Sequence, residues 1–144
     1  MAKRSEFIEY AEVHGNCYGT SRDSIEKILF KGRDIVLEID WQGANQVRGI
    51  FDNCCSVFIL PPSKDELQRR LIKRGQDNEK IINKRLSAAQ EEMKHYKEAD
   101  FIIVNDDFQT SCCRLKAILG KHTECNATNT ADSQFNILLS DLLS

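Results

Sequence analysis

No run of apolar residues in the chain approaches the ~18–20 that a membrane-crossing helix needs, and the opening MAKRSEFIEY lacks the apolar centre of a secretory signal. These absences set the expectation of a soluble, cytoplasmic protein with no membrane partner. An excess of either charge is also missing: Lys+Arg number 20 and Asp+Glu 22, a formal charge of -2. Such a balance gives no general attraction to nucleic acid, so any basic site has to be local. No C-x-x-C occurs among the 6 cysteines (Cys17, Cys54, Cys55, Cys112, Cys113, Cys125), and the 3 histidines (His14, His95, His122) are too scattered for a ligand pair. That spacing argues against a structural metal and for reduced, buried thiols. Asn126-Ala127-Thr128 matches the glycosylation triplet, but with no secretory signal it is read as chance. A last absence is the glycine-rich phosphate loop, G-x-x-x-x-G-K-[ST], whose backbone N–H groups converge on nucleotide phosphates. The one Gly-Lys dipeptide, Gly120-Lys121, is followed by His122 and has Leu115 where the first glycine belongs.

What is present is an ordinary globular composition, 41% hydrophobic and 29% charged over 144 residues, enough for one domain with a sizeable core. Three short apolar runs each lead into a helical stretch. Residues 34–40 (DIVLEID) precede a helix from Trp41 to about Phe51; residues 56–60 (SVFIL) precede Pro61-Pro62 and then a helix; residues 101–104 (FIIV) precede a helix reaching about Leu119. Alternating strands and helices predict βαβ units around a parallel sheet. Ser63 and Glu66 form an S-x-x-E capping box at one helix start. Helices over 64–73 and 80–97, separated by the charged corner Arg74-Gly-Gln-Asp77, read as a mobile lid or as an ordinary helical hairpin. Ahead of these, residues 7–13 alternate, His14-Gly15-Asn16 is a turn, and Cys17 to Thr20 returns as a second strand, with a helix near 21–31. The end of the chain predicts a polar stretch from Lys121 and a short apolar helix over 135–143 that packs on the body.

Several residues have the chemistry for a ligand. Asp40 ends an expected parallel strand, the place where ligands bind in such sheets, and Glu38 lies two residues earlier. Asp40 reads as an acceptor for a base amine, as a group near a metal, as a plain helix N-cap, or as a charge solvated at the sheet rim. Glu9 and Tyr18 lie on the two strands of the hairpin with Thr20 just beyond. A carboxylate can accept two N–H donors from a guanine edge and a phenol can donate to a phosphate oxygen; equally, Glu9 reads as a surface strand residue. Arg69, Arg70 and Arg74 crowd one helix and Arg85 the next. Guanidinium groups match the charge of a moving phosphoryl group, while Asp65–Arg69 and Glu66–Arg70 also have i,i+4 spacing for surface pairs.

The segments EFIEYAEVHGNCYGTSR, VLEIDWQGA, FILPPSKDELQRRLIKRGQD, INKRLSAAQEEM and FIIVNDDF, in this order, resemble guanylate kinase over about residues 5–119. The resemblance implies an α/β, P-loop-kinase-like fold: a parallel sheet with flanking helices, a small GMP-binding hairpin subdomain and a helical lid, its first strand and phosphate loop missing here. It divides one domain, 1–144, into a GMP-binding subdomain at about 5–33, a core at about 34–63 and 98–144, and a lid region at about 64–97. It implies transfer of a phosphoryl group from ATP to GMP with Mg²⁺ assisting, and weak or no turnover from a chain without the loop. A non-catalytic module binding GMP or a phosphopeptide is the alternative. By resemblance Glu9 and Asp40 read the guanine edge, Thr20 stands near the guanine carbonyl, and Tyr18 holds the GMP phosphate. Arg70, Arg74 and Arg85 close over the transferring phosphoryl, and Asn105 lies beside the ATP adenine. Glu38 replaces the family's usual aspartate, and Cys17 a frequent tyrosine. Oligomeric state is not implied.

Overall fold

A computed structural model describes residues 6–13, 16–74, 79–120 and 133–144, with the side chains of 11–13, 16–17, 74, 79 and 133 outside the description. The first two residues of the expected turn His14-Gly15-Asn16, most of the charged corner after Arg74, and the stretch 121–132 with its Asn126 triplet therefore lie outside the described residues; Asn16, expected in the turn, begins a strand instead. The chain divides into two compact units, Met1–Cys54 and Cys55–Ser144.

The first unit opens on the expected hairpin. Strands β1 (Phe7–Val13) and β2 (Asn16–Ser21) pair antiparallel, followed by helices α1 (Arg22–Leu29) and α2 (Trp41–Arg48). The pairing runs Phe7 to Ser21 and then Glu9 to Thr20, so β1 carries one residue more than β2 at that point. Such a bulge re-aims the side chains around it, and Ile8 and Glu9 are buried in succession, at 1% and 5% exposure. Gly19 is required by close approach: a Cβ there would lie 2.9 Å from the Phe7 ring. Gly32, at φ 68°, takes the left-handed turn beyond α1 that a side chain would oppose.

The second unit carries the parallel pairing. Strand β3 (Val57–Leu60) runs beside β4 (Phe101–Val104), in register from Val57–Phe101 to Leu60–Val104. Parallel neighbours need a long crossover, here α3 (Lys64–Arg74), α4 (Glu79–Met93) and a 3-10 turn, Lys94–Glu98. Asp100 ties the strand starts together, accepting from the Ser56 N–H at 2.8 Å and its hydroxyl at 2.7 Å. Helices α5 (Phe108–Leu119) and α6 (Ser133–Leu143) complete the unit. Its core gathers Leu60, Met93, Tyr96, Ile102, Phe135, Leu139 and Leu142. The expected terminal helix thus packs on the body through Phe135, Leu139 and Leu142, one face at helical spacing.

Two expectations need correction. Residues 34–40 form no strand; they are extended without a ladder partner among the described residues, and Val36 is 66% exposed. β propensity is a preference for a pleated, half-buried surface, and it produces a strand only where another strand supplies the ladder. The described cysteines are not buried either: Cys54, Cys55 and Cys113 are exposed and Cys112 intermediate.

Candidate functional site

The hairpin builds the first cluster. Residues directly opposite in an antiparallel pair share a face, as do residues two apart on one strand. Glu9 faces Thr20, and Tyr18 stands two residues from Thr20, so the three share one face. Thr20 Oγ1 donates to Glu9 Oε1 at 2.6 Å. Among the described residues this hydroxyl is the donor that meets the buried carboxylate, which would otherwise be costly to remove from water. Tyr18 stays 58% exposed, its ring open to solvent.

Helix α2 brings Asp40 to the same neighbourhood. Asp40 is the N-cap, its Oδ1 accepting from the Gly43 N–H at 2.9 Å and its Oδ2 from Gln42 Nε2 at 3.3 Å. A side-chain oxygen at this position satisfies a donor that the helix start leaves open. Gly43 is buried, and a Cβ on it would come within 3.1 Å of Glu9 Oε2 and of Ile39 Cβ. The absent side chain lets the start of α2 approach the Glu9 carboxylate. Glu9, Thr20 and Asp40 are therefore brought together around Gly43, with Asp40 capping the helix at the same time. Glu38 is exposed.

The second unit builds another cluster at the carboxyl end of its strands. The Asn105 N–H donates to the Leu60 carbonyl at 2.8 Å, extending the β3–β4 ladder by one bond. Arg70 reaches that spot from α3: Nη2 donates to the Asn105 carbonyl at 2.9 Å and Nε to Glu66 Oε1 at 2.6 Å. Glu66 also takes Arg69 on its other oxygen, with Nε donating to Oε2 at 2.8 Å. Arg69 is thus paired with Glu66 three residues back, not with Asp65, while the expected Glu66–Arg70 pair forms. Hydrogen bonds from Arg69 and then Arg70 hold the Glu66 carboxyl below the ordinary carboxylate range. Half of the expected capping box is made, Glu66 N–H to Ser63 Oγ at 3.1 Å; the Glu66 carboxylate is committed to the arginines. Arg85 is half-buried on α4. Arg74 ends α3, and its side chain lies outside the described residues.

Sequence reasoning missed two participants. Gln46 bonds the backbone of Tyr10, and Glu66 orients Arg70. The second was expected as a capping-box residue and as the i,i+4 partner of Arg70, not as the group that orients it; the first has no local signal.

The family model described as guanylate kinase matches residues 1–122. A guanylate kinase of Buchnera aphidicola subsp. Schizaphis graminum is 50% identical over 143 residues, covering 99% of this chain and 68% of that protein. The guanylate kinase of Escherichia coli (strain K12) is 56% identical over 119 residues, 83% of this chain and 58% of its own length. A solved guanylate kinase from Anaplasma phagocytophilum superimposes with a TM-score of 0.68 at 34% identity, over 96% of this chain and 63% of that one. The chain thus spans roughly three-fifths to two-thirds of the length of the relatives it matches. With the family model matched over residues 1–122 and a relative 50% identical over 99% of its length, this chain belongs to the guanylate kinase family.

Proposed function

We propose that the chain serves phosphoryl transfer from ATP to GMP, giving ADP and GDP, and that its hairpin and α2 form the acceptor site. The observation that carries this reading is Glu9: a carboxylate at 5% exposure, bonded to Thr20 and open toward a helix start with no side chain in the way. Guanine offers N1–H and a 2-amino group along one edge, and carboxylate oxygens are acceptors only. Glu9 and Asp40 accept from that edge, Thr20 stands by the guanine carbonyl, and the exposed Tyr18 hydroxyl donates to the GMP phosphate. Asp40 Oδ1 is committed to the helix start, so Oδ2, held by a longer bond of 3.3 Å to Gln42, is the oxygen that turns to the base.

In the second unit Arg70, Arg74 and Arg85 supply the cations for the transferring phosphoryl. Arg70 is fixed through Nε and Nη2, an arrangement that turns its remaining edge, with Nη1, toward an incoming oxygen. Asn105, at the strand end, is the adenine neighbour, and α3 and α4 act as the lid. Among the described residues no group of three or more His, Cys, Asp or Glu is placed to hold a metal ion. Mg²⁺ would sit on the nucleotide phosphates, where it offsets their charge. The 144 residues contain no glycine-rich phosphate loop, so turnover by these residues alone is expected to be slow.

GMP binding decides between readings more cleanly than turnover does. Calorimetry is expected to give saturable GMP binding that CMP and UMP do not displace. A coupled assay of ADP formation is expected to depend on GMP and Mg²⁺. Arg70→Ala lowers that rate on the order of 10³-fold while leaving GMP affinity within a few-fold. No GMP binding by a folded sample at millimolar concentration overturns the proposal, as does an equal loss of rate and affinity in Arg70→Ala.

A further inference from the structure

Gln46 is exposed and yet makes two hydrogen bonds across 36 residues of sequence. The Tyr10 N–H donates to Oε1 at 3.0 Å, and Nε2 donates to the Tyr10 carbonyl at 2.8 Å. An amide that satisfies both backbone groups of one residue does what a neighbouring strand would do, and it does so at the residue after Glu9. Three residues earlier on α2, Gly43 passes Glu9 so closely that a Cβ would lie 3.1 Å from Oε2. Positions three apart lie on one helix face. Helix and strand are therefore keyed at two adjacent points, Gly43 against Glu9 and Gln46 against Tyr10. Asp40 begins the same helix, and its Oδ1 is pinned to the Gly43 N–H.

We propose that Gln46 is a positioning residue that sets the separation of the Glu9 and Asp40 carboxylates, and with it the preference for guanine over a purine lacking the 2-amino group. The proposal rests on the reading of these two carboxylates as the guanine site. Spanning N1–H and the 2-amino group requires two acceptors at a fixed distance, whereas a hypoxanthine ring offers N1–H alone. Hydrogen bonds weaken steeply as distance and angle depart from their optimum, so a helix released from the strand loses the second contact before the first.

The test compares GMP and IMP affinities by calorimetry for the full chain, Gln46→Met and Gln46→Glu, with circular dichroism to verify folding. Methionine keeps the stem and loses both bonds; glutamate keeps an acceptor for the Tyr10 N–H and loses the donor. The GMP-to-IMP affinity ratio is expected to fall roughly tenfold in Gln46→Met and partway in Gln46→Glu, with IMP affinity nearly constant. Asp141→Ala, which removes a tertiary bond in the second unit, serves as the control that lowers stability and keeps the ratio. A wild-type ratio in folded Gln46→Met, or an equal loss for both nucleotides, overturns the inference and leaves the guanine reading standing. A wild-type chain that binds GMP and IMP alike overturns that reading, and this inference with it.

Discussion

Glu9 is a charge-bearing group withdrawn from water, and its surroundings explain how it stays there. Thr20 gives one oxygen a hydrogen bond of 2.6 Å, and Gly43 leaves space beside the other. Replacing one oxygen by an amide nitrogen sets a donor against the donors of a guanine edge. Glu9→Gln is accordingly expected to weaken GMP binding on the order of tenfold to a hundredfold, measured by calorimetry at constant fold. Unchanged affinity would remove Glu9 from the base site. Much at this scale was readable in advance. The chemistry of Glu9, Tyr18 and Thr20 and their place on the hairpin could be read, but the burial of Glu9 and its pairing could not: a turn over His14-Gly15-Asn16 would set Thr20 opposite Tyr10, whereas Asn16 already belongs to β2 and Thr20 faces Glu9. Asp40 was readable in two ways, as ligand and as cap, and its hydrogen bond to the Gly43 N–H supports the second without removing the first. Gln46 was not readable, because its partners are backbone groups of Tyr10, and a backbone group leaves no trace in residue identity.

The elements owe their boundaries to the same local chemistry. Helices α2, α3 and α5 begin at Asp40, Ser63 and Asp107, each accepting from the N–H three residues on, at 2.9, 3.1 and 2.8 Å. The hydroxyl and N–H of Thr110 hold the Asp107 carboxyl below its ordinary value of 3.8, as Arg69 and Arg70 hold Glu66 below 4.5. A carboxyl whose folded pKa is depressed stabilises the fold above its unfolded value, and that contribution is lost as the pH falls through the folded one. Stability to urea is therefore expected to decline below about pH 4.5, and Asp107→Asn, which keeps an acceptor and loses the titration, declines less steeply. Identical slopes in the two proteins would contradict the assignment. Capping residues are local, so these helices could be placed from sequence to within a few residues. The stretch 34–40 could not: its β-branched, alternating residues state a preference, and only a partner strand turns that into a ladder. The bulge at Ile8 was equally hidden, since it is a property of the pairing of two strands.

For the molecule as a whole, the second unit depends on its last helix. Leu142 is fully buried beside Leu60, Tyr96 and Ile102, the strand β4 and the 3-10 turn meeting α6 there. Leu142→Ala is expected to cost this unit about 2–5 kcal/mol, the range for a buried leucine whose site cannot collapse. Urea unfolding followed by circular dichroism measures it, and a loss below about 0.5 kcal/mol, the size of an ordinary surface change, would show that α6 does not close the core. A parallel sheet was evident from the alternation of strands and helices, and the apolar face of α6 from its spacing. The division of the chain into two units was not, because it arises from which contacts are dense.

Asp141, one residue before that leucine, accepts from the Lys64 N–H at 3.1 Å, across 77 residues. The order of biosynthesis gives this bond a further meaning. At a ribosomal rate of ~5–20 residues per second, about 4–15 s separate the making of Lys64 from that of Asp141. During that interval the Lys64 N–H has no Asp141 carboxylate to meet, so water takes that place and the start of α3 is closed only when the last residues of the chain are made.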